Sequence, residues 1–130
     1  MYSVKDVAKL LDLTEHTIRY YTDKGLVPSL QRDKNNNRLF DDKSIDWLIG
    51  VKNLKKSGMS VEEIKYYVDL CLEGDSTIQE RYAIILKQKE LAHQELKEAQ
   101  KRVEFLEHKA KNYLDIINQK IQDNTNPAKW

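Results

Sequence analysis

The stretch Thr14-Glu15-His16-Thr17-Ile18-Arg19-Tyr20-Tyr21-Thr22-Asp23-Lys24-Gly25-Leu26-Val27-Pro28 decides the fold. Thr14 is a residue whose hydroxyl accepts one of the unpaired backbone N–H groups at a helix start. A helix is therefore predicted from there to about Lys24. Gly25 stands where the end of a helix turns left-handed, and Pro28 blocks continuation. Ile18 and Tyr21 are expected to face inward. Glu15, His16, Arg19 and Tyr20 are then left facing out or partly out.

Working back from this helix, Ser3-Val4-Lys5-Asp6 reads as a capped helix start with Asp in place of the preferred Glu. Val4, Val7, Ala8 and Leu11 follow at i, i+3, i+4 and i+7, one apolar face of a short helix. Asp12-Leu13 breaks that pattern, and two helices so tightly separated suggest a helix-turn-helix. Working forward, residues 26–40 lack helical periodicity. Asn35-Asn36-Asn37 is a turn cluster, because Asn tolerates positive φ and bonds its own backbone. With Gln31-Arg32 before it and Arg38-Leu39-Phe40 after it, a short β-hairpin with a basic tip is predicted, a wing.

Asp41 or Asp42 can cap a third helix over roughly 43–56, with Ile45, Leu48, Ile49 and Val51 as its apolar content and Gly58 after its end. Ser60-Val61-Glu62-Glu63 is a full capping box opening a fourth helix, with the stripe Val61, Ile64, Val68 and Cys71 and a stop at Gly74. Ser76-Thr77-Ile78-Gln79 reads as a second capping box. From Ile78 onward the period becomes a heptad. Positions 78, 82, 85, 89, 92, 96, 99, 103, 106, 110, 113 and 117 alternate spacings of four and three, and eleven of these twelve are apolar or aromatic, with Lys89 the exception. A seam of that length argues for a coiled coil, on a helix roughly 60 Å long. Such a helix is too long for one small domain to cover, so a second chain is expected along it, with Ile85, Ala92, Leu96, Ala99, Val103, Leu106 and Ala110 as dimerisation positions. The expected organisation is a winged helix-turn-helix domain over 1–75, a dimerisation helix over 76–121 and a short tail over 122–130.

Composition narrows the function classes. The chain has 130 residues, 33% charged and 40% hydrophobic, with 4 Gly and 2 Pro, a balance that suits a helix-rich folded protein and not a β-sandwich. No apolar run reaches the ~18 residues of a membrane span, and the first eleven residues lack a signal-peptide core, so a cytoplasmic protein with no membrane partner is expected. One cysteine excludes an internal disulfide. The three His and Cys71 have no metal-ligand spacing, so no metal or cofactor is expected. No nucleophile–base pair, paired carboxylates or Gly-rich phosphate loop is recognisable, which argues against an enzyme.

The formal net charge of +1 hides an uneven distribution. Residues 1–58 hold 11 Lys/Arg against 8 Asp/Glu, residues 59–75 hold one Lys against 5 acids, and residues 76–130 hold 10 against 8. A polyanion should therefore meet the N-terminal part. Arg19 can grip a phosphate or pair with a guanine edge, and Tyr20 can donate its hydroxyl. Arg32 and Arg38 flank the hairpin tip, while Lys52, Lys55 and Lys56 cluster at the third helix. Each cluster alone is an ordinary solvated face; three in one small helix-turn-helix domain are better explained by a phosphate backbone.

The run Thr17-Ile18-Arg19-Tyr20-Tyr21, then Gly25-Leu26-Val27-Pro28, Arg32 through Arg38-Leu39-Phe40, and Leu54-Lys55-Lys56-Ser57-Gly58-Met59-Ser60 with the following Glu-Glu-Ile resembles the mercury-resistance regulator (MerR) family. The resemblance covers residues 2–72 in unbroken order. It implies a mainly all-α fold, a winged helix-turn-helix with a short hairpin wing, followed by a long helix that forms an antiparallel coiled coil in a homodimer. It places His16, Arg19 and Tyr20 at recognition-helix contacts with double-stranded DNA, Arg32, Asn37 and Arg38 at wing contacts, and Lys55 at a backbone contact. Thr14, Thr17 and Lys52 complete the candidate DNA-binding set. Asn36 stands where the family often has Gly, and Phe40 where Tyr is common, so Phe40 brings no hydroxyl. The implied function is a transcriptional regulator that binds a near-palindromic operator in a promoter with an over-long spacer and distorts it for RNA polymerase. The metal-sensing cysteines of some relatives have no counterpart in residues 76–130, and nine tail residues cannot supply the large ligand domain of others. An unknown small-molecule inducer remains open. Cys71 is either a small core hydrophobe or a thiol sensor of aldehyde or redox signals, and its acidic neighbours Glu73 and Asp75 oppose thiolate formation. A DNA-binding architectural protein without an inducer is the other alternative.

Overall fold

Short side chains at the helix starts bond the backbone as the sequence leads one to expect. In a computed structural model, which describes residues 1–130, the chain divides into two compact units, Met1–Lys89 and Glu90–Trp130. In the first, α1 (Val4–Leu11) opens on a complete capping box: the Ser3 hydroxyl accepts from Asp6 N and the Asp6 carboxylate from Ser3 N, both at 3.1 Å. Asp is thus sufficient where Glu is usual. Asp12 then turns left-handed with φ 54°, a conformation that Asp reaches at less cost than most residues. Helix α2 (Glu15–Asp23) is capped by Thr14, and Gly25 follows it at φ 76°.

The hairpin consists of β1 (Gln31–Arg32) and β2 (Arg38–Leu39), antiparallel, with Gln31 opposite Leu39 and Arg32 opposite Arg38. Tyr2 and Phe40 form one further bridge, exchanging both backbone hydrogen bonds at 2.8 and 2.9 Å. Helix α3 (Asp42–Lys56) takes Asp41 as its cap, and α4 (Val61–Glu73) takes the Ser60/Glu63 box. The core collects Val7 from α1, Ile18 and Tyr21 from α2, Leu26 from the segment after α2, Phe40 from the residue after β2, Leu48 and Val51 from α3, and Ile64 and Val68 from α4. Full burial of each such side chain contributes about 1.5–3 kcal/mol. Phe40 is fully buried in this core. Ile49, expected to be apolar content of α3, is instead exposed, and Leu70 is buried where the stripe placed Cys71, which is half-buried.

The second capping box, at Ser76, does not form. Residues Asp75–Thr77 make a 3-10 turn that runs directly into α5 (Ile78–Ile117), with no side-chain cap. The reason is that Thr77 is buried and its hydroxyl faces back, 2.6 Å from Leu70 O and 2.8 Å from Gly74 O. It serves the end of α4 instead of the start of α5. Arg81 joins the same junction, donating to Thr77 Oγ1 at 3.0 Å and to Gly74 O at 3.2 Å. Ile84 packs against the first unit's core, and Gln88 donates to Ser57 O at 2.6 Å.

Helix α5 is 40 residues long and buries none of them. It stops at Ile117, short of the expected 121, because Gln119 turns left-handed at φ 60° and Lys120 N bonds Asp115 O at 2.9 Å, six residues closed to one. Within the second unit the residues beyond it are not a loose tail. Asn124 accepts from Asn112 at 2.7 Å, Asp123 accepts from Thr125, and Asn126 caps a 3-10 turn over Pro127–Lys129.

The cap carboxylates set the acid limit of the fold. Asp6, Asp41 and Glu63 are held below the ordinary carboxylate range, each chiefly by a backbone N–H, of Ser3, Ser44 and Ser60 respectively. The folded chain therefore binds these protons less readily than the unfolded one. Their contribution is complete above the unfolded values of about 4 and is lost as pH falls through the lower folded values. Urea midpoints should be flat above about pH 5 and fall below about pH 4. Asp41→Asn should reduce that acid dependence; an unchanged profile would refute the assignment.

Candidate nucleic-acid interface

Burial of Ile18 and Tyr21 fixes which way the rest of α2 points. Glu15, His16, Arg19 and Tyr20 all lie on the exposed side, as the helical period requires. Thr14 and Thr17 are used locally: Thr14 Oγ1 accepts from Thr17 N at 3.0 Å and donates to Thr17 Oγ1 at 2.8 Å. The Arg19 guanidinium pairs with Glu15 at 3.2 Å, both side chains about half exposed. Such a surface pair is worth little, so a phosphate could displace the carboxylate readily. Tyr20 lies beside Tyr21, ring centroids 6.1 Å apart, and Lys24 Nζ sits 5.6 Å from the Tyr20 ring centre.

The wing tip is organised by a residue that sequence reading passed over. Asp33 accepts from Asn35 N and Asn37 N, each at 2.8 Å, and from the Asn37 side chain at 3.2 Å. These bonds, that to Asn37 N first, hold the Asp33 carboxyl below its ordinary range. Asn36 sits at φ 63°, the left-handed position that makes Asn an adequate substitute for Gly. Arg32 donates to Asn36 O at 3.0 Å while remaining exposed. The pattern Asp-x-Asn-x-Asn was the available signal, since Asp bonding backbone two residues on is a common turn device.

The remaining candidates divide by what they touch. Lys55 and Lys56 are exposed at the C-terminal end of α3, where cations suit the helix dipole. Lys52 is half-buried, its ammonium donating to Leu11 O at the end of α1. Arg38 is also committed, its Nε to Thr22 Oγ1 at 2.8 Å and its Nη2 to Asp23 at 2.7 Å. Cys71 is a free, half-buried thiol. His93 and His108 are exposed on α5. No three His, Cys, Asp or Glu side chains converge as a metal cluster would require. A cavity of about 540 Å³ is lined by Pro28, Ser29, Lys43, Asp46, Trp47 and Leu72. No helix is long and apolar enough to cross a membrane.

A helix pair with one exposed Arg/Tyr/His face, flanked by a basic hairpin, defines a winged helix-turn-helix DNA-binding protein. Residues 2–70 match the MerR HTH family regulatory proteins. An uncharacterized HTH-type transcriptional regulator of Haemophilus influenzae is 32% identical over 112 residues, which are 86% of this chain and 83% of that protein. A crystal structure of HiNmlR, a MerR family regulator lacking the sensor domain and bound to promoter DNA, superposes with a TM-score of 0.78 at 31% identity, covering 90% of this chain and 93% of that one. A putative MerR family regulator from Listeria monocytogenes superposes at 0.81 with 25% identity, covering 95% and 96%. The chain belongs to the MerR family of DNA-binding transcriptional regulators.

Removal of the Asp33 carboxylate should loosen the wing without unfolding the domain. Asp33→Ala is expected to speed amide exchange at Asn35 and Asn37 markedly, leaving the amides of buried Ile18 and Leu48 protected. Asn36→Gly should keep wing protection, with a stability change within about 1 kcal/mol. Equal protection of the Asn37 amide in Asp33→Ala and the wild type would contradict this account.

Proposed function

We propose that this regulator acts as a homodimer on a near-palindromic operator within a promoter, bending and untwisting the spacer so that RNA polymerase can engage both flanking elements. The observation that carries this reading is the apolar line along α5. Ile85, Leu96, Val103 and Leu106 are all exposed in the single chain, together with Ala92 and Ala110, and Ala99 is only half-buried. A soluble helix does not leave so regular a heptad seam in water when a second copy can cover it. An antiparallel pairing of two such helices gives a two-fold symmetric pair of reading heads, and a two-fold protein reads a two-fold site.

Within each copy, His16, Thr17, Arg19 and Tyr20 read or grip the major groove, while Arg32, Asn37 and Lys55 reach the flanking phosphates. Thr14 holds the start of the helix that carries them. Bending a site of this size costs on the order of 1–6 kcal/mol, which contacts on both half-sites together can offset. The HiNmlR structure, a relative without a sensor domain on promoter DNA, supports the assignment of DNA as partner.

Footprinting of the full chain on promoter fragments should give a symmetric protected region between the two polymerase recognition elements. Arg19→Ala should weaken binding by about 1–3 kcal/mol and leave the dimer intact. Leu96→Glu or Val103→Glu should sediment as a monomer, because each buries an unpaired carboxylate in the seam. A dimer in both Glu variants would refute the heptad register. Footprints lying outside promoters would favour an architectural role instead.

A further inference from the structure

We infer that Arg38 is a positioning residue that locks the wing to the recognition helix at a fixed angle, and that Asp23 is the other half of that lock. The inference rests on the DNA-binding reading and deepens it. Arg38 is the β2 partner of Arg32, yet the two arginines are in opposite circumstances. Arg32 stays exposed at the tip, whereas the Arg38 side chain is only 17% exposed. Its Nε donates to Thr22 Oγ1 at 2.8 Å and its Nη2 to Asp23 Oδ1 at 2.7 Å. Thr22 Oγ1 in turn donates to Arg19 O at 2.7 Å. One continuous chain of bonds thus runs from strand β2 to the helical turn that carries Arg19.

The placement of Asp23 argues for a structural purpose. It is the last residue of α2, and no basic residue occupies that turn. A carboxylate is disfavoured at the negative end of a helix dipole. It is also 63% exposed, four residues after Arg19 on the helix proposed to meet a polyanion. On long-range electrostatics alone Asp23 works against DNA binding. A bidentate-capable guanidinium held on both Thr22 and Asp23 explains why an acid stands there, and a flexible ammonium could not hold both partners in one plane.

The two roles open to Arg38 predict opposite signs for Asp23→Ala. The probe is a DNA duplex enriched by the wild-type full chain from a randomised pool, read by fluorescence anisotropy over a salt series. If Arg38 positions the wing, Asp23→Ala should weaken binding about three- to tenfold although it removes a negative charge, and the double variant with Arg38→Ala should be no weaker than Arg38→Ala alone. The slope of log affinity against log salt should stay at the wild-type value in Asp23→Ala and Arg38→Ala, because no phosphate contact is lost. Arg38→Lys should fail to restore binding. If instead Asp23→Ala tightens binding, or Arg38→Ala reduces the salt slope by about one, or Arg38→Lys restores affinity, Arg38 is a direct phosphate contact and the inference is overturned. Asp23 is exposed, so its variant keeps the test open should Arg38→Ala fold poorly. Arg19→Ala separates the two levels of the argument. Undiminished binding there, or no duplex enriched by the wild type, would sink the DNA-reading surface itself, whereas the outcomes above bear on the lock alone.

Discussion

Burial of Ile18 is the constraint on which the rest of the molecule depends. It is fully buried in the one apolar core to which α1, α3 and α4 also contribute, and about one turn further on Tyr21 is buried too. A helix has only one rotation about its axis that satisfies both. That rotation sends His16, Arg19 and Tyr20 outward, so the exposed polar face of α2 is a consequence of packing and not of any attraction built into the polar residues. The energetics point the same way. Each buried apolar side chain contributes a few kcal/mol, while the exposed Glu15–Arg19 pair contributes a fraction of one.

The same hierarchy governs the surrounding devices. Asp33 holds the wing tip, Arg38 ties the wing base to α2, Lys52 closes the end of α1, and Thr77 with Arg81 closes the end of α4. Arg38 bonds the side chains of Thr22 and Asp23; in the others a polar side chain meets backbone groups that a helix end or turn leaves without partners. No buried side-chain nitrogen or oxygen lacks a hydrogen-bond partner. The domain therefore spends part of its charged inventory on its own geometry, and the groups left free for a partner are fewer than a count of Lys and Arg suggests.

What was legible in the sequence was what local chemistry decides. The Ser3, Thr14 and Ser60 caps, a start of α3 at Asp41 or Asp42, the apolar period of α1 and most of those of α3 and α4 (Ile49 and Cys71 excepted), the Asn-rich wing turn and the left-handed Asn36 were readable because each depends on neighbours within four residues. The misses depended on distant partners. Ser76 had the pattern of a capping box, but Thr77 was claimed by the carbonyls of α4, and tertiary satisfaction overrode the local motif. Helix α5 ended without the Gly that usually marks a stop, so its last turn could not be placed. That the Arg38 guanidinium lies against Asp23 and the Lys52 ammonium against Leu11 O was likewise unreadable, because those partners are distant in the chain. The Tyr2–Phe40 bridge pairs residues far apart in the chain and had no local sign. For the candidate site, residue types were readable, while the division between side chains that face a partner and side chains that brace the frame was not.

That division changes how the small net charge should be understood. The sum of +1 conceals a basic first 58 residues behind an acidic α4, yet even the basic part is partly neutralised internally. Arg19 leans on Glu15 and Arg38 on Asp23. Sequence-independent affinity scales with the number of phosphates a protein neutralises, so one domain with few free cations should hold DNA weakly at physiological salt. Under the dimer proposed above, specific binding would come from complementary shape: two wing-and-helix heads whose spacing matches the helical repeat of the site. A protein built this way gains discrimination from its rigidity, because DNA that cannot adopt the matching geometry is excluded by deformation cost and a general attraction is too weak to hold it regardless.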